Sequence, residues 1–259
     1  MKYGIGKLSV VPCRAEASDR SEQVTQLLFG ETIKVYEKKR SWYRIKTAHD
    51  NYECWIDENQ FDFITQRKFE DFQEKKPAVV GDLVEVIHNE TSNDIITVLL
   101  GCNLPDFKEN RLTHVDQKWK YEGAVISTEK VKPKSEIVEH AYMFLNSPYQ
   151  WGGRSPFGID CSGFVQLVYK LNGVFLPRDA SQQALKGQKL SFIEEAEEGD
   201  LAFFDNEEGA ITHVGIIMSN NRIIHASGKV RIDKLDHQGI YNQEKRDYSH
   251  RLRLISKLF

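Results

Sequence analysis

Hydrophobic and polar positions follow a strand-like pattern along the first half of the chain and a helical one further on. Short β-prone runs recur at residues 7–12, 32–37, 42–47 and 52–56. The turn-formers Phe29-Gly30-Glu31 and Ala48-His49-Asp50-Asn51 separate them. Strands of this length and spacing predict a small barrel over residues 1–65. Residues 65–76 are polar and charged and end at Pro77, which reads as a linker or a solvated helical turn. A second β-rich stretch follows, with strands expected at 83–87, 95–100 and 121–125. It predicts a second barrel over residues 66–130. Beyond residue 130 the period changes: Ile137, Ala141, Phe144 and Leu145 recur at helical spacing, and Pro148 closes the run. A Gly/Pro-rich loop leads from there into a helix over 161–171, whose apolar face is Phe164, Val165, Leu167, Val168 and Leu171. Strand patterns then fall at 200–204, 213–218, 222–225, 230–232 and 251–254. Helices followed by an antiparallel sheet predict an α+β domain over residues 131–259.

Composition narrows the function classes. Hydrophobic residues make up 40% of 259, enough for packed cores without metals or disulfide staples. The formal net charge is −3, so there is no electrostatic case for a nucleic-acid or membrane partner. Cys13, Cys54, Cys102 and Cys161 are scattered with no C-x-x-C pair, so neither a metal site nor a cofactor is expected. The first eight residues lack the apolar core of a signal peptide, and no apolar run nears the ~20 residues of a membrane span. The expectation is a cytoplasmic protein. Nothing in the sequence indicates its oligomeric state.

The chemistry gathers at Asp160-Cys161-Ser162-Gly163. Asp160 is placed to cap the helix, and Cys161 falls in its first turn. A thiolate there faces unpaired backbone N–H groups and the positive end of the helix dipole, which should lower its pKa; the same groups can donate to an oxyanion. Asp160 pulls the other way and must point elsewhere or hold a cation. A buried structural cysteine is the commoner fate of a lone Cys. Flanks of Asp, Ser and Gly rather than bulky apolar residues favour a nucleophile here. Base and orienter candidates are His213, in Ile211-Thr212-His213-Val214-Gly215, and His225, in Ile223-Ile224-His225-Ala226. They share a sheet face only if the turn between them has an odd number of residues, such as 219–221 or 220–222, or a bulge. A two-residue Asn-Asn turn would separate them. His225 read alone fits a core histidine equally well. His88, His114, His237 and His250 lack comparable context and are assigned no role. Arg178 and Asp179 fit either a turn that caps a short helix near Ser181 or a polar pocket.

With these residues in view the chain resembles a known family. Asp160-Cys161-Ser162-Gly163-Phe164-Val165, His213-Val214-Gly215-Ile216 and Ile224-His225-Ala226 are similar to the NlpC family of bacterial cysteine peptidases, as are Tyr149-Gln150-Trp151-Gly152-Gly153 and Pro177-Arg178-Asp179. The resemblance implies a reduced papain-like fold and a Cys161–His213–His225 triad. It also implies cleavage of peptidoglycan stem peptides between γ-D-glutamate and the diamino acid. The N-terminal Arg14-Ala15-Glu16-Ala17-Ser18 and Trp42-Tyr43-Arg44-Ile45 resemble a bacterial SH3-like domain, in the version carrying Glu16 and Tyr52 that marks the dipeptidyl-peptidase VI subgroup. In that subgroup the domain closes one side of the active site. By this resemblance Glu16 and Tyr52 contact substrate. Asp160 binds the free amine of an N-terminal L-alanine, and Tyr149, Ser162 and Asp179 line the same pocket. The implied partners are short peptides of the type L-Ala-γ-D-Glu-diamino acid, and the implied role is murein peptide recycling. Two alternatives stand beside this reading: a peptidoglycan-binding module with a vestigial catalytic domain, and a thiol amidase or acyltransferase acting on other amides.

Overall fold

The computed structural model describes all residues, 1–259. The fold is α+β, with few helices set on antiparallel sheets. Contacts divide it into two compact units. The first holds residues 1–131 together with 151–156 and 173–175, and the second holds 132–150, 157–172 and 176–259.

In the first unit, seven antiparallel strands between Lys2 and Ile64 form one SH3-like sheet. Alternation sends Val11, Cys13, Leu27, Ile33, Val35, Ile45, Cys54 and Ile56 into a single core with Tyr43 and Phe61. The polar stretch after it is a true helix, Gln66–Gln73, capped by the Thr65 hydroxyl accepting from the Lys68 N–H at 3.2 Å. Its one buried residue, Phe69, packs on Tyr3 with ring centroids 4.5 Å apart. Next come a four-stranded sheet and a three-stranded sheet, built between Ala78 and Ser127. The strand expected at 121–125 is largely a turn. The Asp82 carboxylate accepts from the Ala124 N–H at 2.6 Å and from the Tyr121 hydroxyl at 3.3 Å, and pairing resumes only at Val125–Ser127.

The segment Trp151–Pro156 packs within this first unit. Arg154 is 1% exposed; its guanidinium donates to both Glu31 carboxylate oxygens, at 2.9 and 3.0 Å, and to the Gln26 carbonyl at 2.7 Å. Gly152 has φ +72° and lies so close to Gln23 that a Cβ would come within 2.4 Å of its carbonyl oxygen, so only glycine fits.

The second unit places the helices Lys134–Tyr142, Cys161–Leu171 and Ala180–Gln183 with a seven-stranded antiparallel sheet. Its strands are Gln188–Leu190, Leu201–Asp205, Ile211–Met218, Arg222–Ser227, Lys229–Leu235, Gly239–Asn242 and Asp247–Lys257. The long last strand pairs with Gly239–Asn242 near its start and with Leu201–Asp205 further along, so six strands close on themselves. Every residue of the helix Cys161–Leu171 is buried, and Phe164 meets Phe144 edge-on at 5.8 Å. Two further strands, Gln188–Leu190 and Gly239–Asn242, went unread in the sequence because their runs are short and interrupted by polar residues. No helix is long and apolar enough to cross a membrane.

Candidate active site

The site is built in the second unit, where the start of the helix Cys161–Leu171 packs on the strand Ile211–Met218. Asp160 is extended (φ −94°, ψ 177°), and its Oδ1 accepts from the Gly163 N–H at 2.7 Å. This N-cap puts Cys161 in the first turn. Its Sγ lies 4.0 Å from the Thr212 carbonyl, on the strand that carries His213.

The turn after that strand has the odd length the two histidines require. Met218 pairs with Arg222, leaving Ser219, Asn220 and Asn221 as a three-residue loop with both asparagines at positive φ. His225 therefore stands opposite Gly215, two positions from His213 and on the same face. His213 Nε2 lies 2.8 Å from His225 Nδ1. Gly215 is what permits this reach: a Cβ there would come within 2.9 Å of His225 Cβ and 2.7 Å of Ile223.

Three groups that sequence reasoning left out complete the cluster. Asp233 Oδ2 accepts from His225 Nε2 at 3.0 Å, and Arg231 donates to both Asp233 oxygens, at 2.7 and 3.0 Å. The available signal was the charged alternation Arg231-Ile232-Asp233 in a strand next to that of His225. The ring of His250 stacks on His213 with centroids 4.0 Å apart and planes 24° from parallel. It sits in a polar strand, Tyr248-Ser249-His250-Arg251, whose pattern hid the inward-facing position. One nitrogen from each of His213, His225 and His250 falls within a 4.8 Å span, the spacing of a metal cluster. Yet two of these rings are joined by a hydrogen bond and two are stacked face to face, so their lone pairs do not converge on one point.

Electrostatics corrects the expectation of an acidic thiol. Burial, and then the Asp160 charge, pushes the Cys161 thiol up to about 12, against the opposing backbone donors and Arg178. Burial, followed by the charges of His225 and His250, pushes His213 well below its ordinary value. Both the Cys161 thiol and the His213 imidazole are therefore neutral at rest. Burial likewise lowers His225, against the pull of Asp233, and takes His250 to about 4.

Asp160 does hold a cation, and it comes from the protein itself. Arg178 is 1% exposed and donates to Asp160 Oδ1 at 2.9 Å, to Oδ2 at 2.5 Å and to the Ser162 hydroxyl at 2.8 Å. Asp179 caps Ala180–Gln183 through its backbone, its carbonyl accepting from Gln182 and Gln183. Tyr149 is 36% exposed, and burial, then the Cys161 and Asp160 charges, raises its hydroxyl to about 12, so it stays a proton donor at neutral pH. Glu16 and Tyr52 belong to the first unit. Glu16 is exposed and Tyr52 half-buried, its N–H donating to the Thr47 hydroxyl at 2.9 Å.

Residues 146–248 match the NlpC/P60 family, and residues 13–61 match the bacterial dipeptidyl-peptidase SH3 domain. The stretch that holds the candidate site is thus similar to NlpC/P60 cysteine peptidases. The chain is 28% identical over 217 residues to the gamma-D-glutamyl-L-lysine dipeptidyl-peptidase of Bacillus subtilis, covering 78% of this chain and 71% of that protein. It is also 28% identical over 257 residues to dipeptidyl-peptidase 6 of Lysinibacillus sphaericus, covering 89% and 91%. A crystal structure of an NlpC/P60 family protein from Bacillus cereus superposes with a TM-score of 0.82 over 99% of both chains, at 22% identity, a likeness of fold. The family match spans Cys161, His213 and His225 and extends through Asp233, but stops short of His250.

Proposed function

We propose that this protein is a γ-D-glutamyl–diamino acid dipeptidyl-peptidase that acts on short peptidoglycan peptides with a free N-terminal L-alanine. The observation that carries the reading is Cys161 at a helix start packed on the strand of His213, which is hydrogen-bonded to His225, in a chain similar to dipeptidyl-peptidases so named.

In this reading Cys161 Sγ attacks the γ-carbonyl carbon of D-glutamate. His213 accepts the thiol proton and passes it to the departing amine of the diamino acid. The free N–H groups of the helix start donate to the oxyanion. Water, deprotonated by His213, then hydrolyses the thioester and releases L-Ala-D-Glu. His225 orients His213. Because the resting thiol and imidazole are both neutral, proton transfer accompanies attack instead of preceding it.

Asp160, with Ser162, Tyr149 and Asp179, recognises the substrate amine. Its charge is already shared with Arg178, so it serves as the acceptor end of a fixed ion pair and not as a lone carboxylate. Glu16 and Tyr52 are proposed as substrate contacts on the likeness of residues 13–61 to the dipeptidyl-peptidase SH3 domain alone. A peptidase that requires a free L-alanine amine suits the turnover of short, already released murein peptides. The test uses N-acetylated and free L-Ala-γ-D-Glu-L-Lys side by side. Cleavage of the free peptide alone supports amine recognition, and equal cleavage of both removes it. Replacing Glu16 or Tyr52 by Ala should raise KM for the free peptide, and an unchanged KM removes them from the site.

A further inference from the structure

The His213–His225 hydrogen bond leaves open which nitrogen of each ring carries the proton, and only one arrangement gives His213 a lone pair to accept the thiol proton. Asp233 decides between them. Its carboxylate is buried, which alone would raise its pKa, but hydrogen bonds from His225 and Arg231 outweigh this and hold it below its ordinary value. An ionised carboxylate only accepts hydrogen bonds, so the His225 Nε2 at 3.0 Å must carry a proton. A neutral imidazole has one N–H, which leaves His225 Nδ1 bare. The His213 Nε2 at 2.8 Å must then be the donor. His213 Nδ1 is the nitrogen left with a lone pair.

We infer that Asp233, ion-paired with Arg231, is a positioning residue that sets the tautomers of both histidines and so makes His213 Nδ1 the base. The strand pairing accounts for the geometry. Arg231 stands directly opposite His225, and Asp233 lies two residues on, along the same face. The other groups facing the two rings do not compete for their protons. His250 stacks on His213 and meets His225 edge-on at 5.7 Å without a hydrogen bond to either, and Phe204 is apolar. Glu244, 3.4 Å from Arg231, is exposed and reaches the histidines only through that guanidinium. The inference rests on the proposed roles of Cys161, His213 and His225.

The first test needs neither substrate nor variant. Two-bond 1H–15N correlation spectra of the full chain, with 15N-labelled histidine, should show His225 and His213 both protonated on Nε2 at pH 7. A proton on Nδ1 of either ring overturns the inference. In the second test, Asp233→Asn should lower kcat on L-Ala-γ-D-Glu-L-Lys by about 10²–10⁴-fold with KM within about threefold, the pattern of a triad whose base sits in the wrong tautomer. A fall in kcat below tenfold, or a change confined to KM, overturns it. If the variant does not fold, the wild-type spectrum decides alone. A wild type that fails to cleave the tripeptide sinks the proposed function and leaves the tautomer result standing on its own.

Discussion

Arg178 is the residue whose removal should be felt most widely in the catalytic unit. Its guanidinium donates to both Asp160 oxygens and to the Ser162 hydroxyl, and all three residues are buried. Arg178→Met takes this guanidinium away from the buried Asp160 carboxylate. Stranding one member of a buried pair costs about 3–5 kcal/mol. The variant should also raise the Cys161 thiol further, since Arg178 opposes the Asp160 charge there. The double variant Arg178→Met/Asp160→Asn removes the stranded charge and keeps a good N-cap, so it should recover about 2 kcal/mol or more. Tryptophan fluorescence is the wrong probe, because Trp42, Trp55, Trp119 and Trp151 all lie in the first unit. Hydrogen exchange read by mass spectrometry on peptides from Cys161–Leu171 reports the right unit. Exchange there should speed up about 10²–10⁴-fold in the single variant, with much of the protection restored in the double. A single variant within about tenfold of wild type, or a double no better than the single, would refute the assignment of Asp160 and Arg178 as a coupled buried pair.

Other consequences are independent of that pair. Gly215→Ala should lower kcat by at least about tenfold, because the new Cβ would come within 2.9 Å of His225 Cβ and force the ring away from His213; an unchanged kcat shows that the reach across position 215 does not matter. Burial keeps His213 neutral well below its ordinary value, so the acid limb of kcat/KM should lie below pH ~6.5 and the profile stay flat through neutrality; a limb above that contradicts the neutral pair. Iodoacetamide should alkylate Cys161 of the resting enzyme at pH 7.5 more slowly than a free thiol, as its raised pKa requires, and faster alkylation would indicate a thiolate. His250 is lowered to about 4 when folded, so between that value and its ordinary ~6.5 the unfolded chain binds more protons. Its contribution to stability is whole above pH ~6.5 and is lost as pH falls toward about 4; His250→Phe should flatten that part of the profile.

The helix over 161–171 and the two histidine strands were legible because their signals are local. A capping Asp precedes a buried apolar run, and each histidine sits in a β-prone run; the parity of their hairpin, open in the sequence, came with the pairing of Met218 and Arg222. Asp233, Arg231 and His250 were not legible, because their importance comes from pairing between strands. Asp233 matters only once register places it beside His225, and His250 only once the last strand folds back along Leu201–Asp205. The sign of the thiol shift was missed for a related reason. A helix start favours the thiolate, but the depth of burial and the Asp160 charge are properties of packing, and they outweigh it. Arg178, left open between turn and pocket, is a buried counterion that spacing alone could not reveal.

The most direct measurement is mass spectrometry of L-Ala-γ-D-Glu-L-Lys, and of its diaminopimelate counterpart, incubated with the reduced protein and with its Cys161→Ala variant. Wild type should release L-Ala-D-Glu and the free diamino acid from at least one of the two, and the variant should release neither product. Both peptides left intact by wild type, or equal release by Cys161→Ala, would contradict the assignment of this chain as a thiol-dependent γ-D-glutamyl peptidase.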